Sequence, residues 1–542
     1  MSPKGSLWYK NAIFYEVYVR AFYDSNGDGH GDLAGLIQKL DYLQNLGVDC
    51  IWLLPIYPSP LRDDGYDIAD YYNVLPTYGD INDFKELVRQ AHARGMRVIT
   101  DLVMNHTSDQ HPWFQAARSS RTSPYRDYYV WSDTDQKYKE ARIIFLDTEK
   151  SNWAWDEIAG QYYWHRFYDS QPDLNYDNPA VQEEMKKIIR FWMDMGIDGF
   201  RADAVPYLFE REGTDCENLP ETHAYLKEVR AFLDQHYPDA ILLGEANQWP
   251  EDVLPYFGNG DELHMNFHFP LMPRLYMALK KEEKTPLEWV FERTPAIPEN
   301  CQWCTFLRNH DELTLEMVTP EEREFMWREY APDPKMRLNL GIRRRLAPLV
   351  DNDQRRIRLL YSMLFSFPGT PIIYYGDEIG MGDNIELFDR NGVRTPMQWD
   401  ASPSAGFSAA PPSRWYAPVI STPPFDPQRV NVADQIRRSD SLYHFLKHLI
   451  ALRKAHPELA SGETRWIDTG SPSVVAVWRA ESDRWLCAIH NLADKVQEIN
   501  LTLPVVTGEL TDVIEGRLTF NSKDSRLKVQ PYQTVWFSNN VK

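Results

Sequence analysis

Over most of its length the chain alternates short runs of β-branched and aromatic residues with segments of helical periodicity, and that rhythm restricts it to parallel-sheet architectures. The runs fall at 12–19, 50–54, 97–103, 199–202, 241–245, 263–267, 303–307 and 372–375. Amphipathic stretches such as 33–46, 81–94, 181–195 and 221–236 lie between them, with apolar residues three and four apart. Eight strands with helical returns predict an α/β fold of the (β/α)8 TIM-barrel type.

A barrel of roughly 250 to 400 residues leaves part of the 542-residue chain over. Residues 107–177 interrupt the rhythm between the third and fourth runs; they are rich in Trp, Tyr, Asp and Ser and poor in helical periodicity. A loop that long inside a compact domain has structure of its own. A second irregular segment, 379–434, is Pro-rich, and from about residue 464 short alternating strands (474–479, 485–491, 497–501, 534–538) predict an antiparallel β-domain. The expected division is a catalytic barrel at 1–106 and 178–460, an inserted subdomain at 107–177 after strand 3, and a separate C-terminal β-sandwich at 461–542.

Charge and composition exclude several kinds of partner. A formal net charge of −21 repels nucleic-acid phosphates and anionic lipid, so a neutral small molecule fits better than nucleic acid or a membrane surface. There is no uninterrupted span of 18 apolar residues and no signal-peptide layout after Met1, which predicts a cytoplasmic protein. Five cysteines, few and odd in number, point to a reducing compartment, and the lone Cys301/Cys304 pair has no second pair to complete a zinc site. A homo-oligomer is compatible with this composition.

The chemistry sits at the strand ends, which a barrel of this kind points at one mouth. The third run ends DLVMNH (101–106), the fourth GFRAD (199–203), the fifth LGEAN (243–247) and the seventh LRNHDE (307–312). One carboxylate there is as easily a cap or an ion-pair partner. Asp203, Glu245 and Asp311 from three strands, with Arg201, His106 and His310 beside them, suit glycosidic cleavage with retention, which needs a nucleophilic carboxylate and an acid/base carboxyl roughly 5 to 5.5 Å apart. Asp203 and Glu245 lie on adjacent strands, and Arg201, on the same strand face as Asp203, keeps it ionised. Glu245 must be protonated at neutral pH, which calls for burial or neighbouring negative charge.

These four segments resemble, in order and spacing, the signature regions of the α-amylase family of glycoside hydrolases, and the resemblance runs from about residue 8 to the C-terminus. It implies Asp203 as nucleophile, Glu245 as proton donor, Asp311 as the third carboxylate, and Arg201, His106 and His310 as substrate ligands. The segments QPDLN (171–175) and DDGYD (63–67) resemble the oligo-1,6-glucosidase branch, which acts on short substrates. By that resemblance Asp63 pairs with Arg394, in RTPMQW (394–399), to close the pocket behind one glucose, with Tyr66 as a stacking face and Gln171 as a further ligand. Residues 206–223 and 247–270 are similar to members that interconvert maltose and trehalose by intramolecular glucosyl transfer; the alternative is a hydrolytic α-glucosidase on short α-glucosides, with water as acceptor. The two segments are also candidates for whatever closes the pocket.

The loop DSNGDGHGD (24–32) places oxygen ligands at alternate positions, as an EF-hand-like calcium loop does, although its twelfth position is Gly35 rather than a bidentate Glu. The other reading is a solvated acidic turn. The family resemblance implies structural Ca2+ held by Asp24, Asn26, Asp28, the His30 carbonyl and Asp32. It implies a second site from Asn105, Asp173, the Tyr207 and Leu208 carbonyls, and Glu210. Neither takes part in the carboxylate chemistry, and no organic cofactor is expected.

Overall fold

The computed structural model describes residues 7–504, 508–521 and 525–540. Eight parallel strands close into a barrel: β1 (Phe14–Val17), β2 (Cys50–Leu53), β3 (Arg97–Val103), β4 (Gly199–Asp203), β5 (Ile241–Gly244), β6 (Met265–Phe267), β7 (Gln302–Phe306) and β8 (Thr370–Tyr374). Each pairs with its neighbour in sequence, and β8 closes on β1. All eight expected runs are barrel strands, with ends displaced by a few residues, as hydrogen-bonded ladders fray at either end.

The helices are set by their ends as well as by their apolar faces. Helix α1 (Leu33–Leu46) is capped by Asp32, whose side chain accepts from the Gly35 N–H, and it stops at Gly47, whose φ of 105° no L-residue adopts cheaply. Helix α2 (Ile81–Ala93) opens with a reciprocal capping box between Asp80 and Asp83. Helices α3 (Pro179–Met193) and α4 (Pro220–His236) begin on proline, which costs nothing at a first turn that has no N–H partner anyway.

The insertion carries a three-stranded antiparallel sheet, with Gln161–Trp164 between Trp131–Ser132 and Trp153–Asp156. It also holds a helix, Pro112–Ser119, where no helical periodicity was expected. Two turns are too short to display a period; the signal is in its start, a His111 cap followed by Pro112.

After α5 (Gln354–Ser366) and α6 (Leu442–Ala455), the C-terminal region forms a four-stranded antiparallel sheet of β9 (Glu463–Trp466), β10 (Val474–Glu481), β11 (Arg484–Asn491) and β12 (Thr534–Ser538). One face packs with Ile499, Leu501, Phe520 and Leu527 into a small core of its own. The other face is not separate. Val475, Val477, Leu486, Ala488 and Trp536 belong to the same continuous core as the barrel, so the C-terminal β-domain packs directly on it.

Candidate active site

Strand register puts the first part of the site together. Asp101 on β3 lies opposite Arg201 on β4, and Val103 opposite Asp203. Asp101 and Arg201 therefore leave their strands side by side, with Arg201 Nη1 2.6 Å from Asp101 Oδ1. The same nitrogen contacts Asp203 Oδ1, and Nη2 lies 2.8 Å from Glu245 Oε1 just beyond β5. One buried guanidinium thus holds three carboxyl groups from three neighbouring strands. Sequence reasoning missed Asp101 as a member, although it begins the DLVMNH segment. Arg201 is 1% exposed and lies beneath the carboxylates rather than on the cavity wall.

The chain leaves β4 through Ala204, whose φ of 51° is left-handed and strained for a residue with a Cβ. That turn aims its N–H at Glu245 Oε2, 3.1 Å away. Asp203 is buried, while about a fifth of the Glu245 side chain stays open to the cavity. Burial pushes Asp203 up to about 6, with Arg201 pulling it back. Burial pushes Glu245 further, to about 8; Arg201 opposes the shift, and the negative charges of Asp203 and Asp311 add to it. The two carboxyls are separated in acidity in the sense a nucleophile and a proton donor require.

A second group stands opposite. His310 Nε2 is 3.1 Å from Asp311 Oδ2 and 2.7 Å from the Tyr66 hydroxyl, and the Tyr66 and His310 rings stack at 8°. Asp311 takes Arg390 Nη1 at 2.8 Å and Arg394 Nη2 at 3.0 Å. Burial alone would raise Asp311, but His310, Arg390, Arg394 and Arg201 together hold it well below the usual carboxylate range. Burial also pushes His310 down, so it is the two arginines that carry the charge stabilising Asp311. His106 lines the cavity as a neutral ring, its acidity shifted by burial to about 3, and its Nε2 is buried without a protein partner.

The expected Asp63–Arg394 clasp is corrected. Asp63 pairs with Arg390, Nη2 to Oδ1 at 2.7 Å, and Arg394 pairs with Asp64 at 2.7 Å. The two arginines sit four residues apart on one helical turn (Asp389–Val393 and its C-cap Arg394) and face the adjacent Asp63 and Asp64 as two parallel pairs. Arg394 also donates to the His310 carbonyl, which takes it behind the cavity wall. Gln171 is fully buried and donates to Asp63 Oδ2 at 2.9 Å, so it orients the clasp from outside the cavity lining.

These groups converge on a cavity of about 120 Å³ at the C-terminal mouth of the barrel. Phe145 and Phe167 from the insertion, Tyr207 after β4, Asn247 after β5, and Glu312 and Glu316 after β7 complete its walls. A charged network ties these walls together. Arg142 of the insertion reaches Glu217 at 2.8 Å, Glu316 at 3.1 Å and the Tyr207 hydroxyl at 3.2 Å. Arg166 reaches Glu217 at 2.7 Å, Gln248 donates to Glu217 at 3.1 Å, and Asn247 donates to Glu316 at 3.0 Å. The segments 206–223 and 247–270 do approach the cavity, but nothing in sequence singled out Arg142, which sits in the insertion with no motif around it.

The metal ligands fall into two groups. In the 24–32 loop, Asp24 accepts from the N–H groups of Gly27 and Gly29, and Asp32 accepts from Ser25 and caps α1. Asn26 and Asp28 turn the same loop through the Asp28 and His30 N–H groups. These carboxylates are committed to the loop and helix start. The second set is different: Asn105 Oδ1, Asp173 Oδ2 and Glu210 Oε1 are all buried and without a hydrogen-bond donor. Burial pushes Asp173 up to about 8 and Glu210 well above its ordinary range, each influenced by its neighbours. Oxygens left without donors in one buried region, with Glu210 just after the Tyr207–Leu208 turn, form a donor set that fits a hard cation. Among the described residues no three His, Cys, Asp or Glu side chains gather around a point, and the second set accordingly relies on an amide as well as carboxylates.

A closed parallel barrel with a carboxylate cluster at its C-terminal mouth defines a (β/α)8 enzyme of carbohydrate-bond chemistry. The chain belongs to the α-amylase family: the model of the alpha amylase catalytic domain matches residues 16–331 and 343–462. It is 57% identical over 526 residues to the trehalose synthase/amylase TreS of Mycobacterium tuberculosis (strain ATCC 25618 / H37Rv), covering 96% of this chain and 87% of that protein. It is 53% identical over 504 residues to a trehalose synthase of Thermus thermophilus, covering 93% of this chain and 52% of that one. Among solved structures, the trehalulose synthase MutB from Pseudomonas mesoacidophila MX-45 superposes with a TM-score of 0.80 at 31% identity, covering 98% and 100% of the two chains.

Proposed function

We propose that the protein interconverts maltose and trehalose by intramolecular glucosyl transfer, with net retention through a glucosyl-enzyme on Asp203. The observation that carries this reading is the walled cavity above the carboxylate pair, only partly open at the mouth. The carboxylate pair stands under walls that Arg142 ties to both barrel segments flanking the mouth.

Asp203, ionised, attacks the anomeric carbon as Glu245 gives its proton to the departing glycosidic oxygen. Two carboxyls bridged by the one guanidinium of Arg201 stand close, as retention demands. Asp63 with Arg390, and Asp311 with His310, would bind the hydroxyls of the transferred glucose by charge-assisted hydrogen bonds. Glu245, now a carboxylate, takes the proton of the anomeric hydroxyl of the released glucose. That oxygen attacks the same carbon and Asp203 leaves, which gives an α,α-1,1 linkage. Retained glucose competes with water because confinement gives effective molarities on the order of 10^5 M or more. Hydrolysis is then the minor outcome whenever water enters first.

The orphaned oxygens of Asn105, Asp173 and Glu210 support a structural Ca2+ that neutralises buried carboxylates and ties the insertion to the turn after β4. Incubating the protein with maltose and resolving the products over time tests the main reading. Trehalose as the principal product is expected; glucose with no trehalose at any time would overturn it in favour of hydrolysis.

A further inference from the structure

One fully buried carboxyl near the site has no part in the mechanism above. Glu16 leaves β1 into the barrel interior, 0% exposed and absent from the cavity wall. Its Oε1 accepts from the His310 backbone N–H at 3.2 Å and also faces His310 Nδ1, while Oε2 is buried with no partner. The other ring nitrogen of His310 faces Asp311 at 3.1 Å.

We propose that Glu16 is a positioning residue that keeps a proton on His310 Nε2, the nitrogen turned toward Asp311. The argument rests on donors and acceptors. Asp311 is ionised between Arg390 and Arg394, so a bare Nε2 lone pair at that distance would repel it; hydrogen on Nε2 removes the repulsion, with the Tyr66 hydroxyl 2.7 Å away accepting beside Asp311. In a neutral ring Nδ1 is then the acceptor and needs a donor. Only a hydroxyl-bearing oxygen can accept from the backbone N–H and donate to Nδ1 at once, and a carboxyl group supplies one. If the proton crosses to the ring, the result is a carboxylate–imidazolium pair with Nε2–H unchanged. Either state delivers the same donor to Asp311, as a carboxylate behind a functional histidine does elsewhere.

The charged and titratable groups facing the pair are Asp311 beyond β7, Asp101 on β3, Arg201 on β4, Tyr374 on β8, Tyr66, and Arg390 and Arg394. The inference rests on the reading that Asp311 and His310 serve the transferred glucose. It does not depend on which acceptor follows.

Glu16→Gln discriminates, because an amide oxygen accepts but cannot donate: satisfying the backbone N–H forces hydrogen onto Nδ1 and strips Nε2. With 4-nitrophenyl α-D-glucoside, where release of nitrophenol reports cleavage alone, kcat should fall about 10- to 100-fold, the range typical of carboxylates behind functional histidines, with KM moving far less. Its pH profile should keep the alkaline limb that Glu245 sets but fall less steeply along it, since the second proton whose loss disables the site, the one shared by Glu16 and His310, is gone. A folded E16Q protein with wild-type kcat and an unchanged profile would overturn the proposal. If E16Q does not fold, neutron diffraction of the wild-type protein decides: hydrogen on Nε2 supports the assignment, and a bare Nε2 overturns it. A wild-type protein that does not cleave the glucoside would instead refute the underlying reading of the site.

Discussion

Arg201 bridges Asp203 and Glu245, yet the two carboxyls do not respond alike: burial and negative neighbours raise both, and the charge and direct hydrogen bond of Arg201 pull Asp203 further back. Turnover needs Asp203 ionised and Glu245 protonated. With values of about 6 and about 8, kcat/KM should rise with pH as Asp203 loses its proton and fall as Glu245 loses its own. The two limbs belong to the coupled cluster, and a profile measured on maltose checks them. A rate flat from pH 5 to 9 would count against this pairing of roles. Glu245→Gln should lose the alkaline limb along with most of its rate toward maltose. At this scale the sequence was informative wherever a strand end carries the residue: Asp203, Glu245, Asp311, Arg201, His106 and His310 all converge. It was uninformative where the partner lies far along the chain. Asp63 and Arg390 are separated by more than three hundred positions, and nothing local distinguishes Arg390 from Arg394.

At the scale of elements, several groups hold the insertion at the mouth, among them Arg166 on Glu217, Gln171 on Asp63, Tyr168 on Asp389 and Arg142. Arg142 contacts Glu217 and Tyr207 in the segment after β4 and Glu316 after β7, while its own neighbourhood is loop. Arg142→Ala removes the tie without touching Asp203 or Glu245. Free glucose should then rise several-fold as a share of product from maltose, while total maltose consumption changes less; product ratios at early time give the check. A further tie is the proposed Ca2+ among Asn105, Asp173 and Glu210, where stability depends on neutralising buried oxygens. Chelation should lower the thermal midpoint by a few degrees, corresponding to about 3 kcal/mol for a ligand present at a hundred times its Kd, and added Ca2+ should restore it. Asp173→Asn should abolish that response. An unchanged midpoint in chelator would remove the cation from this account. The 24–32 loop, whose carboxylates already serve its own N–H groups and α1, should contribute little to the effect. That difference was invisible in sequence, where only the 24–32 loop showed a ligand pattern of its own; the hydrogen-bond donors around each set separate them.

Across the whole molecule, the eight strands and most of the helices followed from periodicity, because a barrel strand buried on both faces and an amphipathic helix each leave a local mark. The unity of barrel and C-terminal sheet leaves no such mark, since an alternating strand reads the same whether its second face meets water or another domain. Here that face meets α5. Trp536 is fully buried and its indole N–H donates to Ser362 Oγ at 2.9 Å; Ser366 Oγ lies 2.9 Å from His490 Nε2. Arg453 on α6 adds a link beneath, donating to the carbonyls of Phe365 and Gly369. Such an interface couples the stability of the two parts. Trp536→Ala should therefore cost about 3 to 5 kcal/mol, mostly for the large cavity, since Ser362 keeps Thr534 as a partner, and the loss should fall on the chain as one unit. In calorimetry a single transition should move to lower temperature, with maltose turnover lost along it. Two resolved transitions, with activity tracking only the upper one, would show that the sheet melts away from a barrel that stands without it.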